Sequence, residues 1–452
     1  MNDTVMATAD SPFPEQAQLE AMVEEVIARA RRLGADGVEA GVSIDAGLSV
    51  TVRLGETETL EYNRDRMLGL TVYFDHRKGS ASTADFAPGS IAATVQAACD
   101  IARYTSEDAC AGLADADRMA SEIPDLDLYH PWDLDAERAI GLATACEAAA
   151  LGVDKRIENS EGGTVSSYLG MRVKGNSHGF LGGYRGSHHS ISCSVIGKQG
   201  GEMQRDYWSE TCRDQRDLPS PALIGQTAGE RTLRRLGTQR LSTREAPVIF
   251  VAEVARSLFG NLVNAISGSS LYRKASFLLD HLGKPVFPGF IRIHEQPLLK
   301  KALGSAPYDA EGVATQARDI VTDGILQGYV LNTYAACKLG MQTTGNAGGV
   351  HNLTVDPGEN DLDGLLRQMD TGLLVTELIG FGVNIVTGDY SRGAAGFWVE
   401  GGRIQYPVDE ITVAGNLKDM FMGIVAVGND VDMRGNTRTG SVLIDRMMIA
   451  GA

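Results

Sequence analysis

Residues Pro247 to Gly260 read PVIFVAEVARSLFG, and their reading sets the layout of the C-terminal half of the chain. A short apolar run rich in β-branched residues leads straight into a segment whose apolar positions recur at helical spacing. Val254, Ala255, Leu258, Phe259 and Leu262 share one face, so the pattern predicts a strand followed at once by an amphipathic helix. Glu253, Ser257, Gly260 and Asn264 line the opposite face, with Arg256 and Asn261 beside them. A zinc-peptidase helix has this form when a His precedes the Glu and a second His follows within about a turn and a half. Here Ala252 precedes Glu253, and Ser257 stands four residues after it. Zinc requires His, Cys or carboxylate donors. Alanine offers none, and a serine hydroxyl is a poor substitute. No His stands beside Glu253 to make it a general base, so the polar face reads as an ordinary solvated face or as the wall of a cleft.

Outward from this helix, the chain of 452 residues is long enough for two or three domains. Hydrophobic residues make up 43% and charged residues 22%, the balance of a globular protein. No apolar run has the length to cross a bilayer. The start, MNDTVMATADSPFPEQ, carries acids and prolines without a basic or apolar leader, and a cytoplasmic location is expected. The net charge of −17 argues against direct nucleic-acid binding by phosphate neutralisation. Cys99, Cys110, Cys146, Cys193, Cys212 and Cys337 follow no metal-binding spacing and are expected to be reduced thiols, mostly in the core. Glycine, at 53 residues, is abundant among β-like runs, which suggests tight hairpins, bulges and curved sheets.

The predicted class is α+β. Residues 1–104 read as an N-terminal domain: a helix over 15–33, antiparallel strands with a turn at His76–Gly79, and a second helix after Ala87. Residues 105–134 are acidic and proline-bearing, and read as a surface linker. Residues 135–240 form a β-rich middle domain bracketed by helices at 135–151 and near 220–236. Residues 241–452 form a C-terminal domain of curved, mostly antiparallel sheet with a few helices. Strands and crossover helices do not alternate, which excludes a Rossmann fold or a TIM barrel.

Three further features are candidates for chemistry. None of the eight histidines pairs with another at i, i+4, and the adjacent His188 and His189 should point to opposite faces of a strand. The stretch TTGNAGGVHNLTV, Thr343 to Val355, gathers Gly345, Asn346, Gly348, Gly349, His351 and Asn352 between apolar strands. It lacks the ending of a phosphate loop and suits contact with extended peptide or a partner through backbone pairing; the alternative is a long hairpin loop. Ser270 and Lys274 could touch on a helix, but a Ser–Lys nucleophile needs a buried lysine and a partner motif, so a solvated turn is favoured.

These segments, together with ETLEYNRDRMLGLTVYFDHRKGSASTADF near the N-terminus and the ending ITVAGNLKDMFMGIVAVGNDVDMRGNTRTGSVLIDRMMIAG, closely resemble the TldD/PmbA family of metalloproteases over nearly the whole chain. The resemblance implies a prokaryotic heterodimer in which one subunit carries HExxxH and a C-terminal cysteine ligand, while the other lacks the metal site. In this chain the HExxxH frame falls on Ala252 to Ser257, only Glu253 is kept, and the last cysteine is Cys337. The chain therefore resembles the partner type: no catalytic residue (Glu253 vestigial), no metal of its own, and zinc on a TldD-like subunit. The resemblance also implies unfolded peptides as substrates, in leader removal or antitoxin degradation, and an older family label of modulator of DNA gyrase. Whether the isolated chain also forms a homodimer stays open. The alternatives are a homodimeric peptide-binding protein without a catalytic partner, or a metal-independent hydrolase.

Overall fold

The computed structural model describes residues 12–451. Most of the stretch read above as leaderless, residues 1–11, lies outside the described residues. The fold is α+β with curled, largely antiparallel sheets. In chain order the first half contains α1 (Gln16–Arg32), β1 (Gly37–Arg53), β2 (Glu56–Phe74), β3 (Arg77–Thr83) and α2 (Pro88–Tyr104). After a long irregular segment come α3 (Ala136–Leu151), β4 (Ile157–Asn176), β5 (Leu181–Gln199), β6 (Glu202–Cys212) and α4 (Pro221–Arg234). Asp135 caps α3 by accepting from the Arg138 N–H, and Ser220 caps α4 ahead of Pro221.

All six strands form one sheet in the order β3-β2-β1-β4-β5-β6. β1 pairs with β4 from Glu39↔Asn176 to Val52↔Gly163, so segments 1–104 and 135–240 share a continuous sheet. Alternate residues of its strands face the helices. α1 and α2 cover one end, over Val42, Ile44, Leu68 and Leu70, and α3 and α4 cover the other, over Leu48, Val50 and Val165. Glycine serves here for close approach more than for turns. A Cβ on Gly225 of α4 would sit 1.9 Å from the Cys146 carbonyl of α3, and one on Gly79 of β3 would sit 2.1 Å from the Ala98 carbonyl of α2.

Residues 105–134 depart from the linker expectation. They bury Ala111, Ala114, Leu126 and Leu128, and so form a strap that joins the first sheet to the C-terminal half. The Ser187 N–H donates to the Leu128 carbonyl at 2.9 Å, and the Lys301 N–H to that of Leu126 at 2.9 Å. Cys110 of the strap is disulfide-bonded to Cys337 on the short helix Thr333–Lys338. This corrects the reading of six reduced thiols: the two cysteines lie 227 residues apart, a pairing that spacing alone does not reveal. Among the free cysteines, Cys99, Cys146 and Cys193 are buried, and Cys212 is half-buried.

In the C-terminal half the predicted strand and helix appear as β7 (Arg244–Phe250) and α5 (Ala252–Ala265). β7 lies inside a second six-stranded sheet, parallel to strand Gly372–Ile379 and antiparallel to strand Val442–Ala450. Phe250, Leu258, Phe259 and Leu262 enter the largest core cluster. A smaller five-stranded sheet of short strands includes Ile293–Glu295 and Leu353–Val355. No helix of the described residues is long and apolar enough to cross a membrane.

Candidate functional site

The polar face of α5 opens on a cavity of about 430 Å³ whose walls include Trp208, Glu210, Arg231, Glu253, Asp432 and Arg434. Glu253 sits in the first turn of α5, directly after β7, so a buried strand fixes its position. Its carboxylate is held between two guanidinium groups. Arg231 of α4 approaches one oxygen to 2.6 Å, and Arg434 approaches the other to 3.4 Å. Both arginines lie over the ring of Trp208, at 4.9 Å and 4.0 Å from its centroid. Arg434 also binds Asp432 at 2.8 Å. Burial works against a charge on Asp432, but Arg434 and the nearby Arg256 outweigh it and hold the carboxyl below its usual range. Burial pushes the Glu210 carboxyl up.

This donor set does not fit zinc. Ala252 has no lone pair, and its backbone N–H donates to the Ser441 hydroxyl at 3.1 Å. The Ser257 hydroxyl donates to the Val254 carbonyl at 2.8 Å. Two fixed cations stand where a metal would need anionic or neutral donors. Among the described residues no three His, Cys, Asp or Glu side chains are grouped to hold a metal ion. The arginine clamp comes from residues 22 positions before and 181 after Glu253 in the chain, and helix periodicity carries no signal for it.

The second candidate region lies between the two halves of the molecule. A cleft of about 1170 Å³ is floored by β1, β2 and β4 and roofed by residues 306–311 and 347–351. It holds Glu39, Lys174, Asp309 and Glu311, with the Lys174 ammonium 3.0 Å from Glu39. Burial raises the Asp309 pKa to about 6, although three backbone N–H groups, of Ala347, Glu311 and Val313, donate to its carboxylate. Burial likewise pushes Glu311 up. A neighbouring hollow of about 550 Å³ shares His351, Arg172 and Tyr184 with the cleft.

The glycine-rich segment divides its residues between these roles. Gly348 and His351 line the cleft. Asn346 and Asn352 are buried and act as cross-ties. The Asn346 amide donates to Glu295 at 2.8 Å and accepts from Arg318 at 2.7 Å. The Asn352 amide donates to the Gln296 carbonyl and the Ser305 hydroxyl, each at 2.8 Å. Gly345, Gly348 and Gly349 have φ of +70°, +104° and +115°, which accounts for glycine there without a ligand. His351 Nδ1 faces the Gly304 carbonyl at 3.3 Å, which assigns the proton to that nitrogen, and burial lowers its pKa. Its Nε2 is buried and has no partner among the described residues.

The remaining candidates are structural. His188 is exposed and His189 buried, on opposite faces of β5 as the strand period requires. His189 is fixed by the Ser167 hydroxyl at 3.0 Å and the His130 carbonyl at 2.8 Å. Lys274 is exposed at a left-handed φ of +57°, past the end of the five-residue helix that carries Ser270, so the two form no buried nucleophilic pair.

Sequence comparison covers most of the chain in three segments. Models of the PmbA/TldA metallopeptidase family match residues 38–102 as domain 1, 129–236 as the central domain and 243–451 as the C-terminal domain. The chain is 53% identical to Metalloprotease PmbA of Escherichia coli O157:H7, over 95% of this chain and 96% of that one. It is 50% identical to a Metalloprotease PmbA homolog of Haemophilus influenzae, over 97% of each. A crystal structure from Bacteroides thetaiotaomicron, labelled a candidate modulator of DNA gyrase, matches with a TM-score of 0.91 at 30% identity, covering 96% of this chain and 99% of that one. TldE from Thermococcus kodakarensis shares the fold, with a TM-score of 0.81 at 20% identity over 95% of this chain and all (100%) of that one. The chain belongs to the PmbA/TldA metallopeptidase family.

Proposed function

We propose that this chain is the non-catalytic, TldE-like subunit of a cytoplasmic zinc peptidase, and that the zinc resides on a TldD-like partner. One observation carries the reading. The only acidic residue left in the HExxxH frame, Glu253, is neutralised by Arg231 and Arg434, and the positions that would hold histidines are Ala252 and Ser257. Both oxygens of the carboxylate are engaged by guanidinium groups, and no metal donor stands beside it to activate water. The helix is retained because its other face builds the largest core of the molecule.

The subunit's contribution is then to shape the channel for unfolded peptide, as in leader removal or antitoxin degradation. The cleft under residues 347–351 supplies the exposed backbone of Gly348, which reads main chain more than side chain. The test is metal analysis and peptide hydrolysis on the purified chain, alone and with a TldD-like subunit. The chain alone should hold no stoichiometric zinc and cleave nothing, and the pair should hydrolyse unfolded peptide. Chelator-sensitive hydrolysis by the isolated chain would overturn the reading.

A further inference from the structure

The floor of the hollow beside the large cleft is built from glycine. Gly170 of β4 pairs with Gly186 of β5, and β1 brings Asp45 opposite Gly170. This face points away from the helices, because Met171, next to Gly170, belongs to the core beneath α1. A Cβ on Gly170 would lie 2.7 Å from an Asp45 carboxylate oxygen, and one on Gly186 would lie 3.2 Å from a terminal nitrogen of Arg213. The missing side chains let Asp45 and Arg213 lie across the sheet. About 550 Å³ stays open above them, roofed by residues 303–306 with Gly348 and Val350.

Two guanidinium groups line this hollow without a carboxylate partner. Arg172, two residues along from Gly170 and on the same face, makes no side-chain hydrogen bond or ion pair among the described residues. Arg213 donates to the Ser187 carbonyl at 2.9 Å and to the Leu303 carbonyl at 2.6 Å. These carbonyls fix its position but do not cancel its charge, and each donating nitrogen keeps a second proton. Burial lowers the Arg213 pKa and the charge of Arg172 adds to the effect, so the two cations act on one another. Burial also lowers the pKa of His188 on the same wall, with Arg213 adding to it. A shortage of acids does not explain the unpaired arginines, since the chain has 58 acidic residues against 41 lysines and arginines. Asp45 is the one carboxylate among the described residues lining the hollow, so two fixed cations against one anion leave a charge of +1. An enclosed charge without a counter-ion is costly, and an anionic ligand would supply the counter-ion.

We propose that this hollow is a carboxylate site, in which Arg172 and Arg213 hold an acidic side chain or the C-terminal carboxylate of an unfolded peptide. The proposal rests on the reading that the adjoining cleft receives such peptide. Guanidinium groups match the planar, two-oxygen geometry of a carboxylate. A single negative charge also balances the hollow, whereas a phosphate dianion would exceed that balance and face Asp45 as well. The hollow shares Arg172 and Tyr184 with the cleft, where Glu39, Asp309 and Glu311 stand against Lys174. The joined space is therefore basic at one end and acidic at the other. A peptide anchored by a carboxylate at the arginines would run its chain toward those acids, so the site would set the direction in which peptide lies.

Fluorescence anisotropy of labelled glycine–serine peptides on the full chain tests the proposal. One peptide carries aspartates and an amidated C-terminus, a second is neutral with a free C-terminal carboxylate, and a third is neutral and amidated. The first or the second should bind about tenfold tighter than the third at low salt, and the preferred one assigns the source of the carboxylate. Arg172→Gln should remove most of that preference and Arg172→Glu should abolish it, while Asp45→Asn should tighten binding of the charged peptide. Arg172 has no side-chain partner to lose, and circular dichroism confirms that its variants keep the fold. Three peptides bound alike, or a charged peptide indifferent to Arg172→Glu, overturn the site and leave the cleft reading standing. Failure of all three to bind overturns both. Competition by inorganic phosphate stronger than by acetate overturns the carboxylate assignment.

Discussion

Replacing Glu253 by Gln separates a structural carboxylate from a catalytic one. The change keeps shape and removes charge. In the structure Glu253 makes one short ion pair, to Arg231 at 2.6 Å, and one long one, to Arg434 at 3.4 Å. The side chains of Glu253 and Arg231 are each 22% exposed, so solvent screens the pair only in part. Hydrogen bonds to charged groups contribute about 1.5–3 kcal/mol, and the amide oxygen of Gln keeps part of the contact to Arg231. The expected loss is therefore about 1–2 kcal/mol. For a cooperative unit of about 200 residues this lowers Tm by about 2–8 °C. Arg434 keeps Asp432 and the Trp208 ring, so it is not stranded. A general base behaves otherwise, since its removal costs about 100- to 10,000-fold in rate while stability barely moves. The assay is thermal unfolding of the Glu253→Gln chain, paired with peptide hydrolysis by its complex with a TldD-like subunit. A lower Tm with the rate held within about threefold, under 1 kcal/mol of barrier, fits the clamp. A hundredfold loss of rate with an unchanged Tm would refute it.

Asp309 gives the stability a pH signature. Its folded pKa of about 6 lies above the unfolded value of 3.8, so the folded state favours the protonated form and stability is lost as pH rises from about 4 to 6. Asp309→Asn should consequently cost more stability at pH 4.5 than at pH 7 in denaturant titrations, and a pH-independent cost would contradict the assignment. Reduction of Cys110–Cys337 should free the strap. Thiol counting under denaturing conditions should find four reactive cysteines before reduction and six after, with faster proteolytic cleavage within residues 105–134 in the reduced chain. Six reactive thiols before reduction would exclude the bond. Gly225→Ala should destabilise the chain by about 1–3 kcal/mol or more, because its Cβ would meet the Cys146 carbonyl; Gly260→Ala, where nothing lies within 4 Å, should be neutral or stabilising.

What the sequence made legible and what it hid follow the range of the interactions involved. The strand-to-helix step at Pro247–Gly260 was readable because a buried strand and a helix with one apolar face write their periods into neighbouring residues. The helices Gln16–Arg32, Pro88–Tyr104, Ala136–Leu151 and Pro221–Arg234 were visible for the same reason. β1 and β2 run unbroken through Asp45-Ala46-Gly47 and Asn63-Arg64-Asp65-Arg66, stretches that look like turns in the sequence. In β2 those polar residues lie where the strand outruns both β3 and the helices, so no core face imposes alternation on them. The strap looked like a linker because its buried side chains, Leu126 and Leu128 among them, anchor singly and without a period. The arginine clamp was hidden most completely. An empty metal motif is a local property, and the sequence shows it as missing donors at positions 252 and 257. The convergence of two guanidinium groups on Glu253 is a three-dimensional property, assembled from α4, α5 and a loop near the C-terminus. Through those contacts Glu253 is a tie between α4 and the loop carrying Arg434.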